Sequence, residues 1–222
     1  MNKANKLSAL VAHRKASRWE GYGCIGDYQN GLFECDFVSP YTRGAKNLDA
    51  SVMVLLQDWS SDQQLRKPTD SESIKLGHGL KVPTNIKLKK LLKDIFGLEL
   101  QDTYSTNLFP FIKQGGLSTT IPQKDLIRAA SEFAIPQINI IKPLLVVCLG
   151  KNTFNALRRA HGLRSAAKMN DAITSPFDID QSKIWCQAHT GSWGQSNRNK
   201  GNPDRTFKDW TKMRDDMGCW TE

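Results

Sequence analysis

Residues 52–56 (VMVLL) are apolar without interruption and give way at once to Gln57, Asp58 and Trp59. A run with no polar member suits a strand covered on both faces, because each face must then meet apolar neighbours. Segments 52–57, 103–107, 144–149 and 184–188 all read as buried strands. Between them the period changes. Residues 87–96 (KLKKLLKDIF) place Leu88, Leu91, Leu92 and Ile95 on one helical face and lysines on the other. Residues 122–141 predict a helix started by Thr120, with Pro122 in its first turn and a bend or break at Pro136. A shorter helix, 153–160, follows Gly150, and another spans 206–217. Strands that alternate with helices become parallel neighbours through right-handed crossovers, which leave helices on both faces. The expected fold is α/β: three layers, α/β/α, around a four-stranded, mostly parallel sheet. There is no internal repeat and no low-complexity linker, so 1–222 is expected as one domain with 1–50 packed on it as an N-terminal extension.

In such sheets ligands bind beyond the carboxyl ends of the strands. Four places in the chain meet that description: Gln57-Asp58, Asn107, Gly150-Lys151 and His189. A carboxylate, an amide, a glycine-led helix start and an imidazole are thus expected around one crevice. Each also has a plainer explanation. Asp58 can cap a turn, Asn107 can be a turn residue before Pro110, and His189 can be a hydrogen-bonded structural histidine. "CLGKNTFNAL" lacks the upstream glycine of a nucleotide-binding phosphate loop, so a helix N-terminus holding a single phosphate is the better reading, with Asn152 or Thr153 as its cap.

Charge narrows the class of partner. The 222 residues hold 31 Lys and Arg against 22 Asp and Glu, a net +9, which favours a polyanion, most commonly nucleic acid. A merely soluble basic protein is the rival. The segment 189–205 (HTGSWGQSNRNKGNPDR) reads as a long polar loop carrying Arg198, Lys200 and Arg205 around Trp193. Its tryptophan either wedges into stacked bases or folds back onto the core. Cys24, Cys35, Cys148, Cys186 and Cys219 are scattered and form no CxxC pair, which speaks against a zinc or iron–sulfur site and for a reduced, intracellular chain. No targeting segment is visible, and no stretch reaches the roughly 20 apolar residues of a membrane span. A cytoplasmic monomer, nucleoid-associated if bacterial, with DNA as partner and without cofactor, metal or membrane, is the expectation.

Read together, these stretches resemble the uracil-DNA glycosylase superfamily. Where that family has Gly-Gln-Asp-Pro-Tyr-His after its first core strand, this chain has Leu56-Gln57-Asp58-Trp59-Ser60-Ser61. "GHGLKVP" (77–83) looks like the family's His-Gly-Leu-x-Phe stretch, "STNLF" like the strand ending in its base-reading asparagine, and "KPLLVVCLGKNTFNAL" like its strand, glycine turn and helix. "AHTGSWG" stands where the family has His-Pro-Ser-Pro-Leu, with Trp193 at the place of the intercalating leucine. The resemblance spans 50–217. It implies catalytic roles for Asp58 and His189, base contacts from Gln57, Trp59, Ser60, Val82 and Asn107, and DNA contacts from Gly150, Lys151, Trp193, Arg198 and Lys200. The departures matter. The tyrosine that rejects thymine corresponds to Ser60 and the stacking phenylalanine to Val82, so the pocket loses side-chain bulk on two sides, and Trp59 replaces a proline that lay beside it. A pyrimidine with a bulky 5-substituent would fill that space. Some relatives attack hypermodified cytosines in phage DNA as an antiviral defence.

Breaking an N-glycosidic bond builds positive charge on the sugar and negative charge on the departing base. Asp58 would stabilise the first and orient water, by analogy with glycoside hydrolysis. Neutral His189 would donate to the base oxygen, and Asn107 would read the base edge. No lysine is visibly poised to form a Schiff base, so a monofunctional enzyme that leaves an abasic site is expected. The rivals are an ordinary uracil enzyme of base excision repair and a DNA-binding module without chemistry. A metal-dependent nuclease would need clustered carboxylates at strand ends, and Asp58 stands alone there.

Overall fold

The structure is a computed structural model describing residues 2–218; Cys219 lies outside them. In chain order the first elements are α1 (Lys3–Ala16), β1 (Tyr22–Gly23), β2 (Val52–Asp58), α2 (Asp62–Leu65), α3 (Ser71–Leu76), α4 (Pro83–Phe96), β3 (Tyr104–Phe109) and β4 (Ile112–Lys113). Then come α5 (Gln123–Ala129), α6 (Ile135–Ile141), β5 (Leu145–Leu149), α7 (Lys151–Ala160), α8 (Met169–Thr174), β6 (Phe177–Ile179), β7 (Ser182–Gln187), α9 (Ser192–Asn199) and α10 (Arg205–Met217). The fold is α/β. Its central sheet has the order β3-β2-β5-β7-β6, parallel throughout except for the β6–β7 pair.

The sheet therefore has five strands where the apolar runs predict four. The extra edge strand, β6, is three residues long with exposed Asp178 at its centre, and turns into β7 through Asp180 and Gln181. Three residues are too few to show a period. The four buried strands lie where the apolar runs place them, with shifted ends. β2 runs on through Asp58 and β3 through Phe109, so Asp58 and Asn107 sit within the last residues of their strands.

Two apolar layers cover the sheet. Val52, Val54 and Leu56 meet Leu88, Leu91 and Leu92 of α4 and Trp210 and Met213 of α10. On the other face Met53 and Leu55 join Phe133, Ile138, Phe154 and Leu157. Each large apolar side chain buried this way contributes about 1.5–3 kcal/mol. α4 begins at Pro83, where a missing N–H costs nothing, and stops at Gly97, whose φ of 69° is left-handed. Expected helix 122–141 is continuous but not uniform. It starts at Gln123 with no side-chain cap, so Thr120 does not cap it, and a π-helical turn over Ala130–Ala134 separates α5 from α6. Pro136 stands two residues past that turn: its nitrogen has no N–H to donate to the i−4 carbonyl and its ring crowds that carbonyl, a misfit the wider turn accommodates.

Residues 2–50 pack against this body. Leu7 and Val11 of α1 enter the core, and buried Arg14 makes two bonds to Glu34 and one each to the carbonyls of Cys35 and Phe37. β1 pairs with β4, Tyr22 opposite Lys113 and Gly23 opposite Ile112, while Ser61 bridges Lys113 from the other side. The parallel register brings the ends of β2, β5 and β7 to one edge, with Leu149 level with Gln187. No described helix is long and apolar enough to cross a membrane.

Candidate active site at the carboxyl edge of the sheet

A cleft of about 390 Å³ opens at that edge, lined by Gln57, Asp58, Leu149, Gly150, Lys151, Asn152 and His189. Five of these are residues the strand-end rule selects. β2 delivers Gln57 and Asp58, the β5–α7 turn delivers Gly150 and Lys151, and the segment after β7 delivers His189. Gly150 adopts a φ of 99°, which side-chain-bearing residues rarely take, and this lets the chain turn from β5 directly into α7.

Both Asp58 oxygens are engaged. Oδ1 accepts a hydrogen bond of 2.9 Å from Gln57 Nε2, and Oδ2 lies 2.8 Å from the ammonium of Lys113. The side chains of Lys113 and Asp58 are only 5% and 13% exposed. Lys113 also donates to the Leu117 carbonyl at 2.6 Å. The structure thus sets a lysine beside the candidate anion, a neighbour that the sequence reading did not name, while Lys113 itself is not among the residues lining the cleft. The signal available was a lysine directly after the apolar stretch Phe109–Pro110–Phe111–Ile112, where few charged residues are left unpaired.

His189 is held as a neutral donor. The Gly191 N–H donates to its Nδ1 at 3.0 Å, so the ring proton of the neutral imidazole sits on Nε2. Burial lowers its pKa below the ordinary histidine value, with the charge of Asp58 opposing part of that shift. Thr190 donates to the Thr84 carbonyl, which ties this segment to α4, and Gln195 of α9 donates to the His189 carbonyl. Gly194 makes that return possible: a Cβ there would lie 2.2 Å from the His189 carbonyl oxygen.

α7 presents its N-terminus to the cleft with no side-chain cap. The expected caps are otherwise employed: Asn152 lines the cleft and Thr153 donates to the Leu149 carbonyl. Lys151 turns its ammonium to the Ala167 carbonyl, 2.7 Å away.

The remaining expected residues lie outside the lining. Asn107 is buried; its Oδ1 accepts from Ser39 Oγ at 2.6 Å and its Nδ2 has no partner. Trp59 donates to the Gly77 carbonyl and packs edge-on against Phe33, so its ring is committed within the fold. Ser60 is buried, and Val82, the residue capping α4, is 45% exposed. Trp193 is 85% exposed in the first turn of α9, which settles its two readings against the core. Segment 189–205 is not a loop throughout, because α9 occupies its centre. Arg198 is no free phosphate ligand: it forms a two-pronged pair with Asp209, at 2.5 and 2.9 Å, and donates to Asn170. Lys200 is exposed. Among the described residues, no three His, Cys, Asp or Glu side chains are grouped to hold a metal ion.

No protein-family model matches the chain, and no curated protein is similar to it in sequence. The functional reading therefore rests on the motifs and on this geometry.

Proposed function

We propose that the protein is a DNA glycosylase that flips a pyrimidine out of DNA and hydrolyses its N-glycosidic bond, leaving an abasic site. The observation that carries this is the meeting of Gln57-Asp58 and His189 across one cleft, the carboxylate held in place and the imidazole held neutral with its proton on Nε2. Asp58 supplies the negative charge that an oxocarbenium-like sugar needs and orients the attacking water. His189 Nε2–H meets the charge that develops on the base oxygen as a preorganised donor. The uncapped start of α7 suits a DNA phosphate, and exposed Trp193 suits the space a flipped base vacates.

The base we assign is a pyrimidine with a bulky 5-substituent, such as a modified cytosine of phage DNA, which would make the protein an antiviral defence enzyme. Support comes from Ser60 and Val82, both small where the resembled family is large, and from Val82 being 45% exposed. The test is alkali nicking of DNA containing uracil, hydroxymethyluracil, or plain, hydroxymethylated or glucosylated cytosine. Wild type is expected to act on the bulky base, Ser60→Tyr to suppress that action, and Asp58→Asn to lose at least ~10²-fold in rate with DNA binding retained. Action on uracil alone would make it an ordinary uracil enzyme. Intact strands on every substrate would leave a DNA-binding module.

A further inference from the structure

Arg14 and Lys113 are the buried Lys and Arg side chains among the described residues. Arg14 answers Glu34 inside the N-terminal segment. Lys113 answers Asp58, and the chemistry above gives it no task. Its placement draws on three distant parts of the chain: β4 carries it, β1 pairs with β4, and Ser61 bridges it just beyond β2. Its ammonium is fixed from two sides, by Asp58 Oδ2 at 2.8 Å and the Leu117 carbonyl at 2.6 Å.

Resting on the glycosylase reading, we propose that Lys113 is a positioning residue that holds Asp58 in one rotamer and acts on the sugar only through that carboxylate. A carboxylate withdrawn from water is costly to keep charged unless a cation and hydrogen bonds replace its hydration. DNA closing over the cleft removes the water that remains. Lys113 compensates from behind, and Gln57 fixes the second oxygen, so the anion does not have to reorganise when the sugar arrives. Two other roles for a lysine fit the geometry less well. A phosphate ligand has to reach solvent, whereas this side chain is almost completely covered. A Schiff-base nucleophile needs open approach to the sugar, and Lys113 is not part of the cleft lining.

The test compares Lys113→Met, Lys113→Arg, Asp58→Asn and the double variant Asp58→Asn/Lys113→Met by single-turnover excision, DNA affinity and thermal melting. Lys113→Met is expected to slow the chemical step ~10²-fold while DNA affinity stays within about threefold, and Lys113→Arg to restore most of the rate. The double variant should be no slower than Asp58→Asn alone, because both changes break one device. In melting, each single change should lower the midpoint and the double should recover part of the loss. Lys113→Met within about threefold of wild type, or additive slowing in the double variant, would overturn the proposal. So would a borohydride-trapped adduct with abasic DNA that disappears in Lys113→Arg, since Lys113 would then be a nucleophile. If Lys113→Met does not fold, the double variant against Asp58→Asn decides. Wild type that excises nothing sinks the glycosylase reading and the positioning role with it, and the melting cycle still shows whether the pair is a coupled fold contact.

Discussion

At His189, burial and a backbone donor act in the same direction. Burial penalises the imidazolium, and the Gly191 N–H pointing at Nδ1 leaves no room for a second ring proton. An ordinary histidine gains its proton near pH 6.5. Because the pKa of His189 is lowered, the decline of excision between pH 8 and 4 should be centred below the ordinary histidine value. Single-turnover rates across that interval check this: a fall centred on 6.5 that is absent in His189→Ala would show the ring titrating normally. At this scale much of the site was legible. Asp58 and His189 stand where apolar runs stop, and that is a local signal. Their partners were not, because they come from elsewhere in the chain. Ser39, which fixes the Asn107 amide, lies 68 residues before it. Lys113 reaches Asp58 only through the pairing of two strands of two residues each.

α9 is the element on which sequence and structure differ most. Residues 192–199 (SWGQSNRN) have no apolar stripe, so periodicity gives no reason to expect a helix. What holds it is tertiary: Arg198 grips Asp209 of α10, and Gln195 reaches back to the His189 carbonyl. Lysine-rich α4, by contrast, carries its burial pattern in the sequence and lies where the pattern puts it. The consequence is a division of labour along α9. Removing half of a nearly buried ion pair costs several kcal/mol when the other charge is left stranded. Arg198→Ala should therefore lower the melting temperature. Trp193→Ala removes an exposed ring and should leave melting unchanged. In excision the order should depend on the substrate. Loss of Trp193 should slow action on duplex DNA, where a base must be unstacked at a cost of a few kcal/mol, and hardly affect single-stranded DNA. Equal slowing on both would remove Trp193 from the wedge role.

For the whole molecule, the N-terminal segment is joined to the sheet through groups that respond to pH. His78 is buried, stacks on Tyr41 of that segment with ring centres 5.0 Å apart, and places Nδ1 3.1 Å from the Leu76 carbonyl. Tyr41 in turn donates to Asn85 of α4. The carbonyl fixes the proton on Nδ1, and Nε2 is left buried without a partner. Burial, reinforced by the charge of Lys89, pushes the pKa of His78 down to about 4. The folded state thus favours the neutral ring, while the unfolded chain takes up its proton near 6.5. Stability from this group is present above 6.5 and drains away as pH falls toward 4. Its size is at most about 3 kcal/mol, and less once solvent screening is counted. That is a large share of the 5–15 kcal/mol that holds a typical domain together. His78→Phe keeps a ring on Tyr41 and removes the titration. It gives up the bond to the Leu76 carbonyl, so the variant should be less stable at pH 7. Between pH 6.5 and 4, however, its stability should fall less steeply than that of wild type. Urea denaturation at pH 7, 5.5 and 4.5 measures both slopes, and parallel losses in the two proteins would show that acid acts on the fold through other groups.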